Sequence, residues 1–479
     1  MASSLEGTHQ LFYGSFIYSK SLDQLEYLHD AAVAVSSAGK IVAVERECGG
    51  KDKALEKISS RLGWGSDATT GFSKEVYETG EGQFFFPGFI DTHLHASQYP
   101  NVGIFGKSTL LDWLNTYTFP LEASLSDPAK ARKVYSRVIR KTLSHGTTCA
   151  AYYATIDVPS TNLLADLCLA AGQRALVGRV CMDQLAPSYY VDESPEASLS
   201  ATRESIAHIR QINPEGDIIR PVITPRFAPA CSAPLLTKLG QLAAEMPGLP
   251  IQTHISENKG EIELVKELFP PESTGAKDDS YAAVYDAFGL LTDKTILAHA
   301  IHLTESEADL IQQRKAKVSH CPCSNSAITS GAARVRWLLE RGIVVGLGTD
   351  MSGGYSPSVL EAARLAALVS RHVAMGGDET AKLSVEEVLY LATRGGAEVV
   401  GLEDKVGSFE EGMEWDAQLV GLGVLGEDGQ VEGQEEEDGN VDVFGWESWE
   451  EKVAKWVYNG DDRNTRAVWV KGRLVHERK

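Results

Sequence analysis

Residues 86–95 read FPGFIDTHLH: a Pro-Gly break, a short apolar run, and then two histidines two positions apart. Pro-Gly punctuates a chain, and the run that follows has the length of a buried strand. Neighbours two apart on a strand face the same side, so His93 and His95 project together from its C-terminal end. Two imidazoles so placed chelate an ion, although His-x-His by itself is more often a surface or packing feature than a metal site.

Working outward from this strand, similar runs recur: TTCAAYYA (147–154), RALVGRVCMD (174–183), IIRPVITPRFAP (218–229), LPIQTHISE (249–257), TILAHAIHL (295–303), AKVSHCPCSN (316–325) and IVVGLGTDM (343–351). Between them lie segments with apolar residues spaced three and four apart, such as DPAKARKVYSRVIRKTLSHG, NLLADLCLAAG, APLLTKLGQLAAEMPG and GAARVRWLLERG. That spacing is helical. Eight short strands alternating with helices predict an α/β fold, a TIM-like (β/α)8 barrel over residues 86–411.

The flanks read differently. AAVAV (31–35) and KIVAVERE (40–47), joined by a Ser-Ser-Ala-Gly turn, form a hairpin pattern, and KDKALEKISSRLGWG is helix-compatible. At the other end RAVWV and RLVHERK flank a Lys-Gly turn. Residues 1–85 and 412–479 are therefore expected to join in one small β-sandwich domain. GVLGEDGQVEGQEEEDGNVD (423–442) is acidic and Gly-rich, and reads as a mobile, solvent-exposed insertion.

Composition is that of an ordinary globular chain of 479 residues, 43% hydrophobic and 23% charged. A formal net charge of −21 disfavours a nucleic-acid backbone or an anionic membrane as partner and suits a small, nearly neutral substrate. Nothing in it reads as a membrane span or a targeting segment. The seven cysteines are odd in number and scattered, which fits a reducing compartment, with the cytoplasm as the expected location. Cys321-Pro-Cys323 lacks the two-residue gap of zinc or redox motifs and reads as buried thiols.

Polar residues at other strand ends give His93 and His95 company. His254 ends the fifth strand, His299 the sixth and Asp350 the eighth. Four or five such groups at one end of a barrel would strand polar atoms unless an ion held them. Taken together the motifs PGFIDTHLHASQYPN, LLDWLNTYTFPLE, TPRFAP, THISEN, LAHAIHL, SHCPCSNS and GLGTDMSGGYSPSVLEAARLA resemble the amidohydrolase superfamily and, within it, the guanine deaminase family. The superfamily likeness runs from about Phe86 to Val420 and into the flanking strands. HASQY, DWLNTYTFP and PRF are its specific part.

The resemblance implies a purine-base hydrolase that converts guanine to xanthine and ammonia, attacking the aminated ring carbon with water activated by one divalent metal, zinc by preference with ferrous iron compatible. It makes His93, His95, His254 and Asp350 the metal ligands. His299 would lie beside the attacking water, orienting it or serving as a looser ligand. RPVITPRFAP has no lysine to bridge a second ion, which indicates a single metal. Glu257, three residues after His254, would shuttle the proton, and Asp350 would also hold the attacking group; a plain helix N-terminal carboxylate is the bland alternative for Glu257. Gln98, Arg226, Phe227 and His254 would contact the base, although Arg226 and Gln98 taken alone read as a rim ion pair and a loop-capping amide. The family also suggests a homodimer. Two other functions stay open: a deaminase or chlorohydrolase of another heterocycle (a triazine, a cytosine-like base or an adenosine derivative), and a non-catalytic scaffold that has lost its metal.

Overall fold

The computed structural model describes residues 9–63, 72–106, 110–431 and 440–478. The eight anticipated strands all form: β1 (Phe89–His95), β2 (Thr147–Tyr153), β3 (Arg174–Gly178, resuming at Val180–Cys181), β4 (Ile219–Pro221, resuming at Thr224–Pro225), β5 (Ile251–Ile255), β6 (Thr295–His299), β7 (Lys317–His320) and β8 (Val345–Leu347). Every ladder between successive strands is parallel. Single bridges, Ile223 to Ile251 and Phe227 to His254, carry the sheet from β4 to β5. It then closes on itself. Asp350 N donates to His93 O at 2.8 Å, His95 N donates to Met351 O at 2.9 Å, and Thr92 Oγ1 donates to Leu347 O at 2.9 Å. A closed ring of eight parallel strands, each followed by a helix on the outside, is a (β/α)8 barrel.

Local chemistry starts the outer helices where the sequence places them. Asp127, Asp157, Ser194 and Ser232 cap helices Pro128–Ser144, Val158–Ala171, Pro195–Ile212 and Ala233–Glu245, each with a proline in its first turn. Such a cap contributes about 1 kcal/mol, and proline there forfeits no hydrogen bond. Asn258 with Glu261, and Thr304 with Glu307, close reciprocal capping boxes on Lys259–Leu268 and Glu305–Arg314.

The two chain ends build one sheet. Its order is Arg473–Glu477, Thr465–Val470, Ala417–Gly421, Gln83–Pro87, His9–Ser21, Gln24–Val35 and Ile41–Glu45, with Phe72–Glu78 paired beside His9–Ser21. Phe12, Phe85, Trp415 and Trp469 pack together under it, with the Phe12 and Trp415 rings 4.2 Å apart between centroids. The Lys471-Gly472 turn has positive φ at both residues (+49° and +75°), as a tight hairpin requires.

The acidic stretch departs from expectation at its flanks. Gly423–Val424 and Asp442–Val443 pair as a short parallel ladder, and Val424, Val441 and Val443 are buried in the same core as Trp456. Three valines give the stretch and its exit something to bury, and among its described residues Glu427–Gln430, Asn440 and Asp442 are exposed. Residues 432–439 lie outside the described part. The following helix, Trp449–Asn459, docks Val453, Trp456 and Val457 on the barrel's core.

Arg174, at the start of β3, ties the barrel to the terminal sheet. It is 1% exposed and donates through Nε and Nη2 to both oxygens of Asp416, and through Nη2 also to Glu414. Removing one partner of a buried ion pair leaves the other charge stranded. Arg174→Met is therefore expected to lower unfolding free energy by about 3 kcal/mol. A denaturant midpoint within error of the unaltered protein would show that the link carries no stability.

Candidate active site

The polar residues all emerge at the C-terminal mouth of the barrel. β1 delivers His93 and His95, β5 His254, β6 His299, and the turn after β8 Asp350. The donor atoms of His93, His254, His299 and Asp350 lie within 4.8 Å of one another. His95 completes the cluster, with Nε2 3.2 Å from His254 Nε2 and 3.4 Å from Asp350 Oδ1. His93 Nε2 stands 3.2 Å from the same Asp350 oxygen. His299 thus sits as near the centre as the four anticipated ligands do.

Backbone strain marks the same spot. His299 and Asp350 hold φ at +74° and +45°, the left-handed region that side chains ordinarily avoid. Gly353 follows because a Cβ there would lie 2.5 Å from Ser324 Oγ. Asp91 secures the turn from below by accepting from Thr349 N at 3.0 Å and Thr349 Oγ1 at 2.6 Å.

The donor set fits a divalent cation. Two imidazoles are oriented from behind: His254 Nδ1 donates to Arg226 O at 2.5 Å and His299 Nδ1 donates to Asn325 Oδ1 at 2.9 Å, leaving each Nε2 to face the centre as a base. Burial holds His93, His95 and His254 below the usual imidazole range, so they are neutral and have lone pairs to offer. Burial alone would raise the Asp350 carboxyl, but His93, His299 and His95 outweigh it and hold Asp350 well below the carboxylate range. His93 Nε2 and His299 Nε2 are buried without a hydrogen bond inside the protein. Orphaned bases converging beside a carboxylate are the kind of donor set that could hold a divalent cation.

Glu257 lies next to this cluster, 3% exposed, with Oε2 3.4 Å from His299 Nε2. Burial pushes its carboxyl up to about 7 against the pull of His299. Ser330 Oγ donates to Glu257 Oε1 at 3.1 Å, and Glu257's own backbone N–H donates to Glu261 at 2.9 Å. Its pKa lies where a group can both take and return a proton.

Gln98, Arg226, Phe227 and His254 line the cavity over the cluster, together with Trp113, Leu114, Ser324 and Ile328. Arg226 is not at a solvated rim: it is 3% exposed and paired with Glu122, Nη1 to Oε2 at 2.7 Å, with Phe119 under its guanidinium. Glu122, Asn325, Ser330 and Glu261 escaped the sequence reading. Glu122 stood inside the quoted LLDWLNTYTFPLE, where one acidic residue in a helical run looks like part of a solvated face. Trp113 lines the cavity and Phe119 underlies Arg226, within a segment that passes through a π-turn at Leu114–Thr118.

Comparison with known proteins agrees with this geometry. The model of the Amidohydrolase family matches residues 84–475. The "Probable guanine deaminase" of Schizosaccharomyces pombe is 49% identical over 469 residues, covering 98% of this chain and 84% of that protein. The "Guanine deaminase" of Homo sapiens is 37% identical over 480 residues, 99% of this chain and 98% of that one. A crystal structure of guanine deaminase from C. acetobutylicum, with guanine bound in its active site, superposes with a TM-score of 0.83 at 33% identity over 98% of this chain and 100% of that chain. A closed barrel with a metal-ready mouth, and likeness running nearly end to end, place the chain in the amidohydrolase family and, within it, among the guanine deaminases.

Proposed function

We propose that the protein hydrolyses guanine to xanthine and ammonia, with a single zinc ion held by His93, His95, His254 and Asp350 and His299 close beside it. The observation that carries this reading is the convergence of those five side chains under a cavity whose wall presents Gln98, Arg226 and Phe227. A divalent cation held there would lower the pKa of water from about 15.7 toward about 7, which is the chemistry it would supply at neutral pH. Glu257 takes a proton from that water and delivers it to a ring nitrogen, which makes the aminated carbon electrophilic. Asp350 and His299 hold the attacking oxygen in line, and Asp350 assists as the amine departs as ammonia. Phe227 packs on the flat ring while Arg226 and Gln98 address its polar edge. Overall one water adds, one C–N bond breaks, and ammonia leaves.

The same reading takes the barrel as residues 86–411 flanked by a β-domain from 1–85 and 412–479, in a cytoplasmic homodimer. The seven cysteines are all free and buried, which supports a reducing location. Among the described residues no helix is long and apolar enough to cross a membrane. The dimer rests on the family likeness.

A substrate panel tests the assignment. Guanine, adenine, cytosine and melamine presented to purified protein should give turnover of guanine, with kcat/KM about 10⁴-fold above the others, because a site built around buried donors and acceptors rejects a base that leaves them unpaired. Turnover confined to the other three would overturn the guanine assignment.

A further inference from the structure

Glu122 stands behind the cavity wall, bonded to Gln98 and Arg226, which line it. It is 1% exposed, and its two oxygens take four hydrogen bonds. Oε1 accepts from Gln98 Nε2 at 2.8 Å and Arg226 Nη2 at 3.3 Å; Oε2 accepts from Arg226 Nη1 at 2.7 Å and Tyr190 OH at 2.8 Å. Every donor comes from a different part of the barrel mouth: the turn after β1, the end of β4, and the loop after β3.

The consequence lies in what a carboxylate cannot do. As the partner of a guanidinium, Glu122 only accepts, so the Gln98 amide must turn its NH₂ toward it. The Gln98 carbonyl oxygen is then left with one long contact, from Ser352 Oγ at 3.4 Å, and its accepting capacity remains for whatever fills the cavity. Arg226 has two nitrogens engaged by Glu122 and its remaining N–H donors available. The wall therefore offers an acceptor beside donors in a fixed order.

We infer that Glu122 sets the specificity of the pocket: by turning Gln98 into an acceptor and holding the donor-only Arg226 beside it, it makes the wall read an adjacent ring N–H and C=O, a lactam edge, and reject the amidine edge in which the order is reversed. Guanine carries such an edge beside its aminated carbon, so the inference rests on the assignment above. Glu122 is a positioning residue, since it reaches the base only through Gln98 and Arg226.

Glu122→Gln tests this, because an amide in place of the carboxylate can donate or accept and frees Gln98 to turn over. The readout is the ratio of kcat/KM for guanine to that for 2,6-diaminopurine, which keeps the 2-amino group but presents the amidine edge. The ratio should fall at least about tenfold in Glu122→Gln, mainly through KM for guanine, and be largely kept in Glu122→Asp, which still only accepts. An unchanged ratio in Glu122→Gln, with both substrates slowed alike, would overturn the inference and leave Glu122 a structural residue. A measurement on the unaltered protein stands whether or not the variant folds: hypoxanthine should bind at least about tenfold more tightly than 1-methylhypoxanthine, whose ring nitrogen has no hydrogen to give. Equal binding of the two would also overturn it. A protein that shows this binding preference but does not turn over guanine keeps the lactam inference and loses the guanine assignment; one that turns over guanine with an unchanged ratio in Glu122→Gln does the reverse.

Discussion

Glu257→Gln should lower kcat for guanine by about 10²–10⁴-fold, the usual contribution of a positioned general acid–base, while KM shifts no more than about threefold. The substitution keeps size and shape, and its amide oxygen can still accept from Ser330 Oγ, which now lies 3.1 Å from Glu257 Oε1. What it removes is a proton site beside His299 and the metal cluster. Because the carboxyl is buried and its burial pushes it up to about 7, replacing it by a neutral amide lifts a desolvation cost and should not lower the melting temperature. A loss confined to kcat, in a protein as stable as the parent, separates proton transfer from folding. Activity within threefold of the parent would mean that another group carries the proton.

Much of this site was legible because a barrel converts sequence position into geometry. Each strand is a short apolar run, and whatever polar residue ends the run must stand at the barrel mouth; His93, His95, His254, His299 and Asp350 could be brought together on that basis. The orienting groups obey no such rule. Asn325, on the short helix Pro322–Ala327 after β7, and Ser330, in the chain beyond it, take roles that depend on where the chain turns back toward His299 and Glu257. Glu122 lies on a short helix whose burial is created by the aromatic residues folded over it, which no spacing of its own reveals. The helix Trp449–Asn459 was legible in principle, since Trp449, Val453, Trp456 and Val457 fall at i, i+4, i+7 and i+8. Its acidic approach, with three valines scattered among glycines and glutamates, drew attention to solvation and away from burial. β3 and β4 each break once, at Arg179 and at Val222–Ile223, irregularities that continuous apolar runs conceal.

Stripping the metal should abolish turnover and cost the fold several kcal/mol. Any ion that binds only the native state stabilises it by RT ln(1 + [L]/Kd), about 4 kcal/mol at a thousandfold excess over Kd. The site is arranged for such an effect: three neutral imidazoles, a fourth oriented by Asn325, and an ionised carboxylate are all buried, and two of the imidazole nitrogens have no partner within the protein. His95 Nε2 and His254 Nε2, 3.2 Å apart, point at the same spot, so one ion can draw on both. Dialysis against a strong chelator is thus expected to lower the melting temperature by several degrees and turnover to background, with both restored by one equivalent of zinc per chain. The stoichiometry matters as much as the recovery, because the region of β4 holds Arg226 and no lysine able to bridge a second ion. Full activity in protein shown by elemental analysis to be metal-free would remove the hydrolytic mechanism altogether, whereas a metal-free, inactive but equally stable protein would favour the scaffold over the enzyme.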